Sequence, residues 1–277
     1  MDVDDEDRRA VEAIVTAVVA GPPGPRLLLF DFDGTLVEFA SVPGSVSLPA
    51  DRRRWLEALA ARQDAVPGFI SGRRLDDLQA RIDVAGAWYA GLHGLEIAVP
   101  GEAVLRHPAF DEAAPFALDL ANRFAASLRW PGVWIEYKGP SVAVHWRDAA
   151  PADGVEARTA FLAAVSTSAA ARFRVLDGDR VCEAVPDVPW HKGRAVETMQ
   201  RRLAGRAGLS PWTLFAGDDW TDEDAFEALG DAGVTVCVGD RPSAAKFRLR
   251  DPAGVERLLA ALARAPSLGP PPAPHKV

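Results

Sequence analysis

Residues 27–36, Leu-Leu-Leu-Phe-Asp-Phe-Asp-Gly-Thr-Leu, constrain the fold more than any other stretch of the chain. Five of the six residues 27–32 are apolar, as in a parallel strand covered by helices on both faces, where polar alternation disappears. Such a strand implies an α/β architecture. It also delivers Asp31 and Asp33 to its carboxyl end, with Gly34 behind them to let the chain turn sharply. Two like charges in a buried position are costly unless a cation or a proton offsets them, which points to a metal site. Helix capping is the alternative, since Asp is a favoured cap.

Further short apolar runs end in the same way. Residues 51–62 place Trp55, Leu56 and Leu59 at helical spacing, and residues 66–70 then read as a strand closing at Ser71, Gly72 and Arg73. The runs 87–92, 212–216 and 234–238 end at His93-Gly94, Gly217-Asp218-Asp219 and Gly239-Asp240. Strand ends rich in Gly, Asp and Ser are what a doubly wound, mostly parallel sheet presents to a ligand crevice. The middle of the chain reads differently. Residues 132–137, 141–146 and 172–185 alternate or carry β-branched and aromatic side chains, and residues 116–128 and 154–170 are alanine-rich and helical in pattern. This predicts an inserted α+β domain with an antiparallel sheet. The expected organisation is a core domain of residues 1–98 and 187–264, a cap domain of residues 99–186, and a disordered tail of residues 265–277 with five prolines.

The chain has 277 residues, enough for a core with a substantial insertion. Its net charge of −8, with no Lys/Arg-rich stripe, argues against nucleic acid or an anionic membrane as partner. Cys182 and Cys237 are far apart in Val-rich settings and read as buried thiols, which suits a reducing cytosol. Residues 15–20 are too short an apolar stretch to span a bilayer, and an acidic start at residues 2–7 is the opposite of a signal peptide's flank. That start reads as a solvated, frayed tail. The expected setting is cytoplasmic, and the expected state monomeric.

The acidic residues suggest phosphoryl chemistry. Asp31 can attack phosphorus as a nucleophile, while Asp33 protonates the leaving alkoxide and later takes a proton from water. A phosphate dianion is repelled by carboxylates, so Mg²⁺ with hard oxygen ligands is the expected cofactor. Asp31, Asp33 and Asp218 would hold it, with Asp219 and Asp222 completing the metal set by orienting its waters. For residues 218–224 the alternative is a helix start rich in acids, favourable beside the positive end of a helix over 224–229. The Ser71 hydroxyl and the Gly72 amide would hold phosphoryl oxygens, or Ser71 would simply cap a helix. Lys192 opens another helical pattern and would neutralise the nucleophile and the phosphoryl group, where an ordinary lysine would be solvated surface.

Four segments in order, Asp31-Phe-Asp33-Gly-Thr35, Ser71 after a strand, Lys192 opening a helix, and Gly217-Asp218-Asp219, resemble the signatures of the haloacid dehalogenase-type phosphatases. The 121-residue separation of Ser71 and Lys192 resembles that superfamily's cap insertion. Within it the chain is most similar to trehalose-6-phosphate phosphatases, through Ser71-Gly72-Arg73, Gly91-Leu-His93-Gly94-Leu-Glu96, Glu136-Tyr-Lys138-Gly139, Glu183 before Pro186, Lys192-Gly193 and Gly217-Asp-Asp-Trp-Thr-Asp-Glu-Asp224. The resemblance implies a haloacid dehalogenase-like core with a cap and hydrolysis of trehalose 6-phosphate, a small-molecule sugar phosphate. It further implies catalytic roles for Asp31, Asp33, Thr35, Ser71 and Lys192, and substrate contacts from Gly72, Arg73, Glu136, Lys138 and Glu183. Charged hydrogen bonds from the cap to sugar hydroxyls would be strong, and the wrong sugar would leave groups unpaired.

Four positions depart from the family pattern: Tyr137, Val185, His191 and Trp220. They keep open a related phosphorylated disaccharide or pseudo-disaccharide, such as a validoxylamine-type phosphate, as substrate. The eight tryptophans, Trp130, Trp134 and Trp146 of the insertion among them, could stack on sugars, although tryptophan is more often core. His93 reads as structural, because no second His or Cys lies at ligand spacing. His145 and Arg147 share a strand face by alternation.

Overall fold

The computed structural model describes residues 3–38, 46–169 and 172–269. The chain forms two compact units, one of Met1–Leu105 with Trp190–Val277 and one of Arg106–Pro189. The first unit thus runs seven residues past the expected 98/99 boundary and resumes three residues after the expected 186/187 boundary.

In chain order the first unit contributes α1 (Val3–Val19), β1 (Arg26–Phe30), α2 (Ala50–Ala60), β2 (Ala65–Ile70), α3 (Leu75–Ile82), β3 (Trp88–Gly91), β4 (Glu96–Ala98) and β5 (Leu105–Arg106), the last reaching into the junction. The second unit holds α4 (Pro108–Ala126), β6 (Trp134–Tyr137), β7 (Val142–His145), α5 (Pro151–Ala169), β8 (Phe173–Gly178) and β9 (Val181–Pro186). The chain then returns with α6 (Lys192–Ala207), β10 (Trp212–Gly217), α7 (Glu223–Leu229), β11 (Gly233–Val238), β12 (Phe247–Leu249) and α8 (Pro252–Arg264).

The eight-stranded sheet runs β12-β11-β10-β1-β2-β3-β4-β5. Pairing is parallel from β12 to β3, and β4 joins β3 antiparallel. β1 sits at the centre, every residue buried. Its alternate side chains feed two cores: Leu28 and Phe30 pack with α1, α2, α3 and α8, while Leu27 and Leu29 pack with α6 and α7. This is the doubly wound arrangement that the unbroken apolar run predicts, with each buried large side chain worth about 1.5–3 kcal/mol. β2 carries Pro67 and Gly68 between two neighbours. A Cβ at Gly68 would sit 2.9 Å from Leu29 Cδ2, so close packing explains the glycine.

In the second unit an antiparallel sheet of order β6-β7-β9-β8 packs one face on α4 and α5. Val142, Val144, Cys182 and Ala184 point into that core with Phe124 and Phe161. By strand alternation Glu136, His145 and Glu183 lie on the opposite face.

Two expectations are corrected. The acidic start is helix from Val3, because Val11, Ile14 and Val18 form a buried stripe, and Asp7 is buried and paired with Arg257 of α8. The expected disordered tail is packed through residue 269. Leu268 is buried and its N–H donates to the Asp64 carboxylate (2.7 Å). Residues 270–277 of that tail lie outside the described residues. Both cysteines are free and buried, and burial pushes the Cys182 thiol up to about 12. Among the described residues no helix is long and apolar enough to cross a membrane.

Candidate active site

β1 ends at Phe30, so Asp31 follows it directly, its N–H still donating to the Ala216 carbonyl of β10 (2.9 Å). The next residues turn back, with the Leu36 and Val37 N–H groups both donating to the Phe32 carbonyl. Gly34 makes that turn at φ +82°, and a Cβ there would lie 2.1 Å from Asp218 Oδ2. Only glycine lets the two strand ends approach this closely.

β10 delivers Asp218 and the loop that follows. The Asp219 N–H donates to Asp222 Oδ2 (2.9 Å) and the Trp220 N–H to Asp219 Oδ1 (2.7 Å), a capping box on the 3₁₀ turn Trp220–Asp222. The Thr35 hydroxyl donates to Asp218 Oδ1 (2.8 Å). Lys192, first residue of α6 and 2% exposed, donates to Asp222 Oδ1 (2.7 Å) and reaches to 3.2 Å from Asp31 Oδ1. Lys192 is therefore a buried cation, not solvated surface.

Asp31, Asp218 and Asp222 each offer one carboxylate oxygen, and these three atoms lie within 4.8 Å of one another. Burial pushes the Asp31 carboxyl well above its usual range, with Asp222, Asp218 and Asp33 adding to the rise and Lys192 opposing it. Burial, followed by Asp222, pushes Asp218 up to about 7 against the Thr35 hydrogen bond and Lys192. Asp222, fully buried, is raised by burial although Lys192 resists. Burial works against the Lys192 ammonium, but Asp222 and Asp31 outweigh it and hold its pKa above the ordinary value. Three carboxylates thus face one ammonium, and ionising all three would leave an excess of two negative charges, the state that their raised pKa values oppose. Hard oxygen donors with that excess fit a divalent cation such as Mg²⁺. A cavity of about 290 Å³ lies beside Asp218, lined also by Gly34, Glu38 and Arg241.

The carboxylate cluster differs in membership from the metal set expected from the sequence. Asp33 and Asp219 do not join the three carboxylates. Arg73 grips Asp33 through Nε and Nη2 (2.6 and 2.7 Å), and Asp219 caps its own turn. Asp222, expected to orient metal waters, belongs to the cluster itself. Arg73 also donates to Asp77 (2.9 Å), and although burial opposes its charge, Asp33 and Asp77 keep the guanidinium firmly protonated. Ser71 is buried after β2, its Oγ accepting the Arg73 N–H (3.2 Å). It does not cap α3, whose N-cap is Arg74. A Cβ at Gly72 would meet His93 Nε2 at 2.9 Å, so the imidazole of His93, itself at φ +56°, packs directly on the Gly72 backbone.

On the second unit Lys138 donates to Glu183 Oε2 (2.8 Å), Ser141 to Glu183 Oε1 (2.5 Å), and Lys138 Nζ lies 3.9 Å from Glu136. His145 Nε2 is 2.9 Å from Glu136 Oε2 and its ring stacks on Trp134, centroids 3.8 Å apart. The structure thus gathers Glu136, Lys138 and Glu183 into one polar cluster. Arg147 leaves the strand and pairs with Asp179 instead of sharing a face with His145. Trp130 is core, stacked on Phe124. Ser141, Trp134 as a partner of His145, and Arg241 escaped sequence reading. The Gly239-Asp240 strand-end signal stops one residue short of Arg241.

A family model described as trehalose-phosphatase matches residues 29–253. The chain is 37% identical over 248 residues to a trehalose-phosphate phosphatase of Mycobacterium ulcerans (strain Agy99), covering 85% of this chain and 61% of that protein. It is 38% identical over 251 residues to a trehalose-phosphate phosphatase of Mycobacterium tuberculosis (strain ATCC 25618 / H37Rv), covering 86% and 61%. The chain therefore spans 61% of the length of these curated relatives. In fold it is similar to the C-terminal domain of a C. albicans trehalose-6-phosphate phosphatase, with TM-score 0.78 and 22% identity, covering 91% of this chain and 96% of that one.

Proposed function

The chain belongs to the trehalose-phosphatase family, and from that premise we propose that it hydrolyses trehalose 6-phosphate to trehalose and inorganic phosphate, with Asp31 as nucleophile. The observation that carries the reading is the placement of Asp31: a buried carboxylate at the end of the central strand, 3.2 Å from Lys192 and grouped with Asp218 and Asp222.

In this reading an Asp31 oxygen bonds to phosphorus as the bond from phosphorus to the sugar oxygen breaks. Asp33 delivers its proton to the departing alkoxide. Water then attacks the aspartyl phosphate, Asp33 takes the proton back, and phosphate leaves with Asp31 restored. The structure pairs Asp33 with Arg73, so Asp33 gives up that partner before it can carry a proton. Arg73, always charged, then has a phosphoryl oxygen to bind. Lys192 offsets charge on Asp31 and on the phosphoryl group, and the Ser71 hydroxyl with the Gly72 amide holds phosphoryl oxygens. Thr35 keeps Asp218 turned toward the cluster through its 2.8 Å hydrogen bond.

Mg²⁺ held by Asp31, Asp218 and Asp222 would supply the positive charge that lets a phosphate dianion approach. The cluster of Glu136, Lys138 and Glu183 on the second unit reads sugar hydroxyls. Lys138 and Ser141 pre-set Glu183, so little rotamer freedom is lost on binding.

Asp31→Asn tests the nucleophile, because it keeps the shape and removes one buried charge. Phosphate release falls by at least ~10³-fold, while circular dichroism and the melting curve show a folded protein. Release within about tenfold of wild type from a purified variant would remove Asp31 from that role.

A further inference from the structure

Gly239 follows β11 with φ +97° and turns the chain so that Arg241 comes back against the loop after β10. Arg241 Nε donates to the Asp218 carbonyl, Nη2 to the Asp219 carbonyl (2.6 Å), and Nη1 to the Glu223 carboxylate and the Pro242 carbonyl (2.9 Å). Its guanidinium carbon lies over the Trp220 ring, 5.1 Å from the centroid, and Trp220 as a whole is 64% exposed. Glu223 is held in turn by the Ala244 N–H (2.9 Å). Burial opposes the Glu223 charge, but that N–H and Arg241 outweigh it and keep the carboxyl below its ordinary value.

One side chain therefore holds the carbonyls of two consecutive residues, Asp218, which carries one carboxylate of the cluster, and Asp219. The direction of the Asp218 side chain follows from its backbone, and Asp222 is tied to the same loop through the Asp219 N–H. A guanidinium suits this work because its planar fork serves several acceptors at fixed angles, which an ammonium does not.

We propose that Arg241 is a positioning residue for the metal site: it locks the peptide planes of Asp218 and Asp219, so that Asp218 and Asp222 meet a divalent cation already oriented. The inference rests on the reading of the three-carboxylate cluster as a cation site. Outer partners of metal ligands typically govern 10–100-fold in metal affinity. A staple that only joined two loops would change stability and leave that affinity alone.

The test is Mg²⁺ titration of wild type, Arg241→Ala and Arg241→Lys without substrate, read by calorimetry and by intrinsic tryptophan fluorescence. The expected result is a 10–100-fold weaker dissociation constant for Arg241→Ala, with Arg241→Lys in between. Asp64→Asn is the control, since it lowers the melting temperature far from the cluster and should leave Mg²⁺ affinity unchanged. Affinity within twofold of wild type in Arg241→Ala, or in Arg241→Lys should the alanine variant not fold, overturns the inference. Failure of wild type itself to bind Mg²⁺ overturns the cation site and the inference together.

Discussion

Lys192 is the residue on which the electrostatics of the site turn. It lies between Asp31 and Asp222, 2% exposed, and supplies positive charge that both buried carboxylates need. Lys192→Met keeps the length and removes that charge, which leaves buried anions uncompensated at a typical cost of about 3–5 kcal/mol. Phosphate release should fall by ~10²–10³-fold, and added Mg²⁺ should raise the melting temperature of the variant more than that of wild type. An equal metal effect on both proteins would show that Lys192 and the cation do not share the same charge. The places of Asp31, Asp33, Ser71 and Asp218 at strand ends were legible because each follows an apolar run, whereas Lys192 stood out only through the family resemblance, since a lone lysine opening a helix reads as solvated surface. Arg241 was not legible, because it acts through backbone carbonyls 22 and 23 residues away, and carbonyls carry no residue signature.

At the scale of elements, β1, β2, β3, β10 and β11 were legible from apolar runs ending in Gly, Asp or Ser, since burial on both faces leaves no alternative composition, whereas the short edge strand β12, Phe-Arg-Leu, carries no such run. The two ends of the core were not legible either. α1 begins among acids that read as solvent-loving, yet Val11, Ile14 and Val18 bury its far end against the core shared with α8. Residues 265–269 read as tail because of their prolines, yet Asp64 collects them. It accepts from Arg62 Nε and Nη2 (2.7 and 2.8 Å) and from the Leu268 N–H (2.7 Å). Burial alone would raise the Asp64 carboxyl, but these donors outweigh it and hold it below its ordinary value. Ionised Asp64 therefore stabilises the fold above the unfolded carboxylate pKa of ~4, and that contribution is lost as pH falls through the lower folded value. Asp64→Asn should cost about 1.5–3 kcal/mol at pH 7, and the gap to wild type should close in denaturant melts carried to acid pH. A gap that stays constant with pH would mean that the charge of Asp64 contributes nothing.

At the scale of the whole molecule, the insertion was legible twice over, in the long separation of Ser71 from Lys192 and in the change of pattern from unbroken apolar runs to alternation. The composition of its polar face was only half legible. Glu136, Lys138 and Glu183 stood out only through the family resemblance, and the Ser141 bond to Glu183 and the Trp134 stack beneath His145 depend on register between β6, β7 and β9. Pairing between strands distant in sequence is written in no local pattern. Val185, one of the departures, is buried in β9, two residues after Glu183. The most direct test is kcat/KM for phosphate release with Mg²⁺ from trehalose 6-phosphate, sucrose 6-phosphate and glucose 6-phosphate. Wild type should prefer trehalose 6-phosphate by at least ~10²-fold, as a site that hydrogen-bonds the sugar requires. Equal rates on all three, or preference for another member, would contradict the assignment of trehalose 6-phosphate as substrate.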